Sequence, residues 1–315
     1  MRTKGDRRVR RRSESTAQPP YRQLRNAFRP LEVLTEEQVE VIHDASMDIL
    51  ERTGMRIMDP EARRILREAG FATDEGSERV RFDRSGVMEL VAKAPGRTAV
   101  RGRDPEKRVM MGEGNMAFAA VGGPPFVSDL ERGRRAGNHA DMCDFIRLTQ
   151  MLNILHIEGG CSVEPTDLPA PTRHLDFYFA CCTLTDKPWK PLSIGAENAQ
   201  DALEMAKIVH GQDDEAIASD PVFFINTNTN TPLVLDGEIA QAVITYARAG
   251  QPICVTPFAL SGAMAPVTMA GALALQNAET LAACALVQLV RIGCPYIYGS
   301  FTSNVDMRTG APAFG

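Results

Sequence analysis

Residues 221–256 have the sequence PVFFINTNTNTPLVLDGEIAQAVITYARAGQPICVT. An apolar run over 221–226 passes into a polar loop, a helix is predicted over 236–249, and a second apolar run covers 251–256. Each apolar run is nearly continuous rather than alternating, which is typical of a parallel strand buried on both faces. The stretch therefore predicts one strand–helix–strand unit of a parallel α/β sheet.

The same order recurs along the second half of the chain. Helices are predicted over 138–151, 172–184, 198–210, 236–249 and 267–292, and each is followed by a strand, at 154–159, 190–195, 221–226, 251–256 and 295–300. A sixth strand is possible near Met116, whereas a closed barrel needs eight. We therefore expect residues 131–315 to form most of a (β/α) barrel that is truncated before closure.

Several other enzyme classes lack support in the sequence. No GxGxxG pattern follows the first strand, which disfavours a dinucleotide-binding doubly wound sheet. Walker A, HExxH and GxSxG patterns are absent as well. An unrelated barrel lyase or aldolase would want a lysine at a strand end, and Lys187 and Lys190 are expected at the start of a strand, on the wrong face.

The N-terminal third of the chain has a different arrangement of predicted helices and strands. Thr35 and Gln38 form a predicted capping box, and apolar residues at helical spacing follow until Gly54. A second helix is predicted from Asp59, with Pro60 in its first turn, to Gly70. Short strands are interspersed later, so residues 31–130 are expected to form an α+β cap.

Charge is distributed unevenly. Residues 1–29 hold ten Lys and Arg against two acidic residues, a net +8, so the remaining chain carries −13 of the total −5. Residues 1–30 are expected to be a disordered basic tail, typical of a solvated charge block. An arm for RNA or an acidic partner is the alternative, but no aromatic interleaving supports nucleic-acid binding.

Composition indicates a globular, cytoplasmic protein. The 315 residues are 44% hydrophobic and 24% charged, no apolar run reaches the length of a membrane span, and the N-terminus lacks a signal-peptide core. Seven cysteines without a CxxC pair argue against a disulfide framework and for reduced thiols.

Polar residues gather after the predicted strands, where a barrel places its chemistry. They lie in EGGCSVE (158–164), NTNTNTP (226–232), TPFALSG (256–262) and GSFTSN (299–304).

The last of these loops belongs to a longer pattern. The segments SGAMAPVTMAGALALQNAE (261–279), YGSFTSNVDM (298–307) and GAPAFG (310–315) resemble the trimethylamine methyltransferase (MttB-like) family. The early block EVLTEEQVEVIHDASMDILERTGMRIMDPEARRILREAG (32–70) is similar to that family's N-terminal helices. The resemblance covers about residues 31–315.

The resemblance implies a (β/α)8 TIM-type barrel, incomplete in this chain. It also implies methyl transfer from a methylated amine, either trimethylamine or a quaternary amine such as glycine betaine, to the Co(I) of a separate corrinoid protein. No cofactor is expected on this chain itself, because it has no corrinoid-binding DxHxxG signature. Oligomerisation is plausible for such enzymes.

A quaternary ammonium offers no hydrogen-bond donor or acceptor, so its site needs aromatic faces, and a nearby carboxylate is an optional balance for its charge. Candidate aromatic residues are Phe258, Tyr298 and Phe301, for which ordinary packing is an equal alternative. Candidate catalytic carboxylates are Glu158, Glu164 and Asp306, with loop solvation or helix capping as the alternative.

Polar uncharged side chains complete the predicted substrate site. Asn226, Asn228 and Asn230 alternate along an extended segment and would share a face, where they orient a substrate carboxylate or serve a turn. Gln276, Asn277 and Glu279 interrupt an apolar helix and must be hydrogen-bonded, either to pin the next loop or to line the site. Ser300 is the remaining substrate-binding candidate.

No metal site is expected, because the histidines are scattered and Cys181 and Cys182 point about 100° apart on a helix. His156, inside a strand, is expected to be a hydrogen-bonded core residue. A truncated, non-catalytic barrel that acts as a binding or scaffold piece is the competing function.

Overall fold

The computed structural model describes residues 18–313 as a mixed α/β structure. Nine α-helices lie in this part of the chain: α1 (Glu36–Asp48), α2 (Pro60–Glu68), α3 (Arg84–Val91), α4 (His139–Met151), α5 (Arg173–Leu184), α6 (Ala196–His210), α7 (Asp214–Ser219), α8 (Gly237–Arg248) and α9 (Met269–Val290). A π-helical turn over Ile49–Thr53 follows α1, and a 3₁₀ turn covers Pro105–Lys107.

Short strands connect and cover these helices. They are β1 (Leu24–Arg25), β2 (Met55–Ile57), β3 (Ala72–Asp74), β4 (Arg79–Arg81), β5 (Arg97–Val100), β6 (Val109–Gly112), β7 (Asn115–Met116), β8 (Phe126–Asp129), β9 (Gly133–Ala136), β10 (Ile225–Thr227), β11 (Val234–Leu235), β12 (Ile253–Val255), β13 (Leu260–Ser261), β14 (Tyr296–Tyr298), β15 (Ser303–Val305) and β16 (Pro312–Ala313).

Six extended segments form one continuous series of parallel pairings. Strand β12 lies between β10 and β14, with Asn226 opposite Cys254 and Cys254 opposite Ile297. On the other side of β10, single parallel bridges extend the series through Phe223, Trp189, Glu158, Ile157 and Ala119. The segments follow chain order and alternate with helices α4 to α9, so the predicted alternating rhythm of strands and helices is confirmed.

The series is an open sheet within the described residues, where none of the sheets closes. The coarse prediction of a parallel α/β core is thus confirmed, while a closed barrel is not shown. The third strand also differs from the sequence prediction of 190–195, because its pairing centres on Trp189. Pro191 has no N–H, so the ladder cannot continue through it.

The N-terminal cap packs directly on the longest helix. Helices α1, α2 and α3 all contact α9. The mixed sheet β11-β2-β4-β3 takes its first strand, which pairs parallel to β2, from the loop after β10. Core residues such as Met47, Leu66 and Phe82 pack in the same cluster as Leu281 and Leu286. Helix α9 is therefore covered by the cap as well as by the sheet.

This double cover explains the composition of α9. It is the one helix of the described chain that is long and apolar enough to cross a membrane, and 78% of that apolar window is buried inside the protein. A helix that is apolar all round is expected where both sides are covered. The burial is that of a core helix.

Ordered structure begins earlier than Leu31, the expected start. Residues 1–17 of the predicted tail lie outside the described residues. The Gln18 amide nitrogen donates to Met151 O at 2.9 Å, the Gln23 side-chain oxygen accepts from Met110 N at 2.8 Å, and β1 pairs with β7. Backbone pairing, side-chain amides and the Tyr21 ring, whose centroid lies 5.5 Å from that of His156, anchor this segment.

Candidate functional site

A cavity of about 520 Å³ lies at the carboxyl ends of the parallel segments. Its lining comes from every member of the series and includes Ala120, Gly159, Lys190, Asn226, Thr256 and Phe301. Parallel α/β folds place their binding and catalytic residues at this edge because the loops that follow the strands converge there. This cavity is therefore the candidate site.

A larger cavity of about 650 Å³ lies among helices α6, α7 and α8. It is lined by side chains such as Lys207, Asp214 and Arg248, of which Lys207 and Asp214 are paired with each other at 2.8 Å. No strand end of the described chain opens into it. Position relative to the sheet, rather than volume, therefore favours the smaller cavity.

Two of the predicted asparagines meet in the cavity wall. The Thr256 hydroxyl donates to Asn226 Oδ1 at 2.8 Å and accepts from the Asn228 amide nitrogen at 2.6 Å. That nitrogen also lies 2.7 Å from Thr256 O, in the amide orientation that satisfies both groups. Asn230 instead accepts from Asp236 N at 3.1 Å, ahead of α8. The site role and the turn role therefore both occur in this segment.

The loop after β14 is fixed from α9. Gln276 Oε1 accepts hydrogen bonds from the hydroxyls of Ser300, at 2.7 Å, and Thr302. Ser300 and Phe301 line the cavity, whereas Gln276 is buried and does not. Gln276 thus positions the loop, as the pinning alternative predicted, rather than contacting the cavity as a substrate-binding candidate would.

Only one of the three candidate aromatics borders this cavity. Phe301 lines it and stacks on Phe258, with ring centroids 5.1 Å apart. Tyr298 lines a separate cavity of about 300 Å³ beside α1, where its hydroxyl donates to Asn277 Oδ1 at 3.1 Å. Asn277 in turn donates to Ser46 Oγ at 2.9 Å, so it connects α9 to the cap.

Glu158 is buried against the helices rather than in the cavity. Its Oε1 accepts from Ser162 Oγ at 3.2 Å, and its Oε2 has no hydrogen-bond partner among the described residues. Burial raises the pKa of this carboxyl to about 7, and the Thr149 and Ser162 hydroxyls and the Lys187 charge oppose the rise only in part. The side-chain alternation of the segment explains the orientation, because Gly159 faces the cavity.

The other two candidate carboxylates also lie outside the cavity lining. Glu164 forms an ion pair with Arg173 at 2.7 Å. Asp306 accepts from Arg308 N at 2.8 Å and from Thr309 N at 3.1 Å, which closes the turn between β15 and β16. The loop and turn alternatives account for both residues in the structure.

Lys190 corrects the sequence analysis, which placed it on the wrong face. The strand bridge at Trp189 puts Lys190 one residue past it, on the carboxyl side, where it lines the cavity. Lys187 lies at the other end of the segment, buried, with Nζ donating to Leu152 O at 2.9 Å. The two prolines that flank Trp189 and Lys190 were the signal that the strand is short.

Gly159 lines the cavity as well, although the sequence analysis did not single it out. A Cβ at this position would lie 1.5 Å from Ala120 O, so only glycine allows the first two segments to approach this closely. Its neighbour in the chain, Glu158, faces the helices. The GG pair at 159–160 was the available signal.

A buried carboxylate on α9 holds the loop between β10 and β11. Glu279 accepts from the hydroxyls of Thr229 and Thr231, the latter at 2.8 Å, and from Leu233 N at 2.7 Å. Burial raises its pKa, opposed by these hydrogen bonds. This is the pinning role predicted for the polar positions of the helix.

The remaining titratable side chains give no cluster of metal ligands. Within residues 18–313, no group of three or more His, Cys, Asp or Glu could hold a metal ion. His156 is buried, with Nδ1 accepting from Phe118 N and Nε2 donating to Arg22 O, both at 3.1 Å. The prediction of a hydrogen-bonded core histidine is confirmed.

A parallel α/β sheet whose strand ends surround a polar and aromatic cavity is the arrangement in which α/β proteins bind small molecules at the carboxyl edge. Comparison with known proteins narrows this class. The chain belongs to the trimethylamine methyltransferase family, whose model, described as "Trimethylamine methyltransferase (MTTB)", matches residues 1–315. The family prediction is confirmed.

The relatives that match the chain are named for two different activities. A "Glycine betaine methyltransferase" of Desulfitobacterium hafniense (strain Y51) is 34% identical over 283 residues, which are 90% of this chain and 58% of the relative. A "Trimethylamine methyltransferase MttB" of Desulfitobacterium hafniense (strain DSM 10664 / DCB-2) is 28% identical over 294 residues, 89% of this chain and 58% of the relative. One of Methanosarcina thermophila is 28% identical over 297 residues, 90% and 60% respectively. The chain thus spans about three fifths of the length of these relatives.

Proposed function

We propose that this chain acts in the removal of a methyl group from a methylated amine and its transfer to the cobalt of a corrinoid carried by a separate protein. The observation that carries the proposal is the cavity at the carboxyl ends of the parallel segments, in a chain that belongs to the trimethylamine methyltransferase family. The relatives that match it are named for glycine betaine and for trimethylamine. Methylation chemistry on a small amine is therefore the function that site and family support together.

We further propose that the parallel series is part of a TIM-type barrel. Six consecutive segments pair in chain order, each followed by a helix or a loop that covers the sheet. The first segment, at Ala119, and the last, β14, are the two edges of this series. Two additional strands between these edges would close an eight-stranded barrel around the cavity.

The residues of the cavity suit a methylated ammonium at its rim. Phe301 offers an aromatic face, with which a cation interacts favourably. Thr256 fixes the amide planes of Asn226 and Asn228, and Gln276 fixes the loop that carries Phe301. Positioning of this kind aligns a methyl group for in-line transfer.

The rim also suits a large partner. Phe301 is 56% exposed and Val121 is 82% exposed, so the cavity mouth presents apolar surface to the outside. The partner protein would hold the corrinoid against this mouth, where its Co(I) would be the acceptor of the methyl group. This chain contributes the binding and orientation of the amine.

Reduced cysteines agree with the proposed cytoplasmic location. All seven are free and buried, and burial raises the pKa of the thiols, for example that of Cys254 to about 12. Thiols in this state are inert packing groups rather than nucleophiles.

The experiment combines the purified protein, a corrinoid protein reduced to Co(I), and a single methylated amine. Loss of the Co(I) absorption and appearance of methyl-Co(III) absorption is expected with at least one tertiary or quaternary amine. Asn226→Ala should slow the reaction, whereas the matched variant Asn230→Ala, whose side chain faces the turn before α8, should not. Absence of methyl transfer from every tertiary and quaternary amine tested would overturn the proposal.

A further inference from the structure

The cavity contains one charged side chain among the described residues that line it. This is Lys190, and no Asp, Glu or Arg accompanies it in the lining. A positive charge at the wall does not help to bind the ammonium of a methylated amine, because like charges repel. The lysine therefore serves a different part of the ligand, or another purpose.

The immediate surroundings of Lys190 hold it in place and, among the described residues, include no acidic partner for its Nζ. Its backbone N–H donates to Glu158 O at 2.9 Å, and its side chain passes over Gly160, where a Cβ would lie 3.5 Å from Nζ. Within residues 18–313, Nζ makes no hydrogen bond or ion pair. Burial lowers its pKa, and the neighbouring Cys254 thiol supplies no counter-charge, because burial raises its own pKa to about 12 and keeps it protonated.

A second donor faces the same space. Asn226 uses its Oδ1 to accept from Thr256, which leaves Nδ2 as the end of the amide available to the cavity. The bridge between Trp189 and Phe223 places Lys190 and Asn226 on neighbouring segments and on the same interior face. An ammonium and an amide N–H without an acidic neighbour form a site for an anion, because both groups only donate.

The aromatic end of the cavity lies on the far side. Phe301 follows β14, which is three segments away from Lys190 in the series. At about 4.8 Å per strand spacing, this separates the two backbone positions by about 14 Å along the sheet, and the lysine side chain spans part of that interval. The cavity thus has a cationic donor end and an aromatic end.

We propose that Lys190, together with Asn226, binds the carboxylate of the substrate, so that this chain takes a methylated amine that also carries a carboxylate, with the ammonium toward Phe301. The inference rests on the proposed function, since it names the substrate class of the same cavity. It makes Lys190 a specificity-determining residue rather than one that takes part in methyl transfer. Trimethylamine, which lacks a carboxylate, gains nothing from this end of the cavity.

The test is a binding measurement that needs no corrinoid. Isothermal titration of the purified protein with glycine betaine and with trimethylamine is compared for wild type, Lys190→Met and Lys190→Arg. Lys190→Met should weaken glycine betaine binding by about 10- to 100-fold, the usual loss for a charge-assisted hydrogen bond, and Lys190→Arg should restore most of it. Trimethylamine binding should not weaken in Lys190→Met.

A matched control and a fold check keep the outcomes distinct. Lys93→Met removes an exposed lysine paired with Glu89 at 3.6 Å and should bind both ligands as wild type does. Circular dichroism of each variant shows whether it folds. Equal losses for both ligands, an unchanged affinity for glycine betaine in Lys190→Met, or a wild type that binds no betaine overturns the assignment. Normal betaine binding without methyl transfer to Co(I) would instead contradict the proposed function alone.

Discussion

The substitution Glu158→Gln tests whether Glu158 is a buried, neutral carboxyl group or an ionised carboxylate with a partner. The side chain has no exposed surface, and its Oε2 lacks a hydrogen-bond partner among the described residues. Burial raises its pKa from 4.5 to about 7. The folded protein therefore keeps the proton over a pH range in which the unfolded chain has already lost it.

The sign and size of the effect follow from this difference. The contribution of Glu158 to stability is fully present below about pH 4.5, falls as pH rises toward about 7, and is constant above it. At about 1.4 kcal/mol per pH unit, the free energy of unfolding loses about 3 kcal/mol across this window. A glutamine in place of Glu158 cannot ionise. The free energy of unfolding of the variant, relative to that of wild type, should therefore rise by about 3 kcal/mol between about pH 4.5 and 8.

The assay is urea unfolding at half-unit pH steps from about 4.5 to 8. The difference in unfolding free energy between Glu158→Gln and wild type should rise with pH and level off above about 7. Glu164→Gln, at a partly exposed carboxylate paired with Arg173, should cost no more than about 1 kcal/mol. A difference for Glu158→Gln that stays flat, or that falls as pH rises, would show that Glu158 is ionised and paired, and the reasoning would fail.

Three further substitutions test the packing around the cavity. Gly159→Ala should destabilise the fold by about 3 kcal/mol or more, because the new Cβ would lie 1.5 Å from Ala120 O. The control Gly96→Ala, whose Cβ would meet nothing within 4 Å, should cost little stability, and thermal unfolding compares the two variants. Gln276→Leu should cost about 1–3 kcal/mol and raise amide hydrogen exchange in the loop after β14, since two hydroxyls lose their acceptor; unchanged exchange would rule out the pinning role. Glu279→Leu should destabilise by about 3 kcal/mol or more by leaving three donors without an acceptor, and a denaturation midpoint equal to that of wild type would contradict the clamp.

Local rules predicted the elements of the fold well. The capping box at Thr35 is present with both of its hydrogen bonds, and Asp59 caps α2 directly before Pro60. Helices α4, α5, α6, α8 and α9 follow their predicted positions closely, because their apolar spacing and flanking glycines act over short distances. The small strands β11, β13, β15 and β16 were not predicted, since two- or three-residue pairings depend on tertiary contacts.

The candidate site was harder to predict, because side-chain direction depends on strand register. Side-chain alternation places Glu158 against the helices while Gly159 faces the cavity, and the end of the short strand at Trp189 places Lys190 on the carboxyl side, in the cavity. Asn226, Asn228, Ser300 and Phe301 were identified because they follow strand ends. Gln276 and Asn277 are polar positions of an apolar helix, where the sequence favours loop pinning over substrate contact without excluding the latter.

A crystal structure of the protein with glycine betaine tests the central claim most directly. We expect the ligand in the cavity at the strand ends, with its carboxylate within hydrogen-bond distance of Lys190 Nζ and Asn226 Nδ2 and its trimethylammonium toward Phe301. Betaine found only in the cavity among α6, α7 and α8, or with its ammonium beside Lys190, would contradict the account.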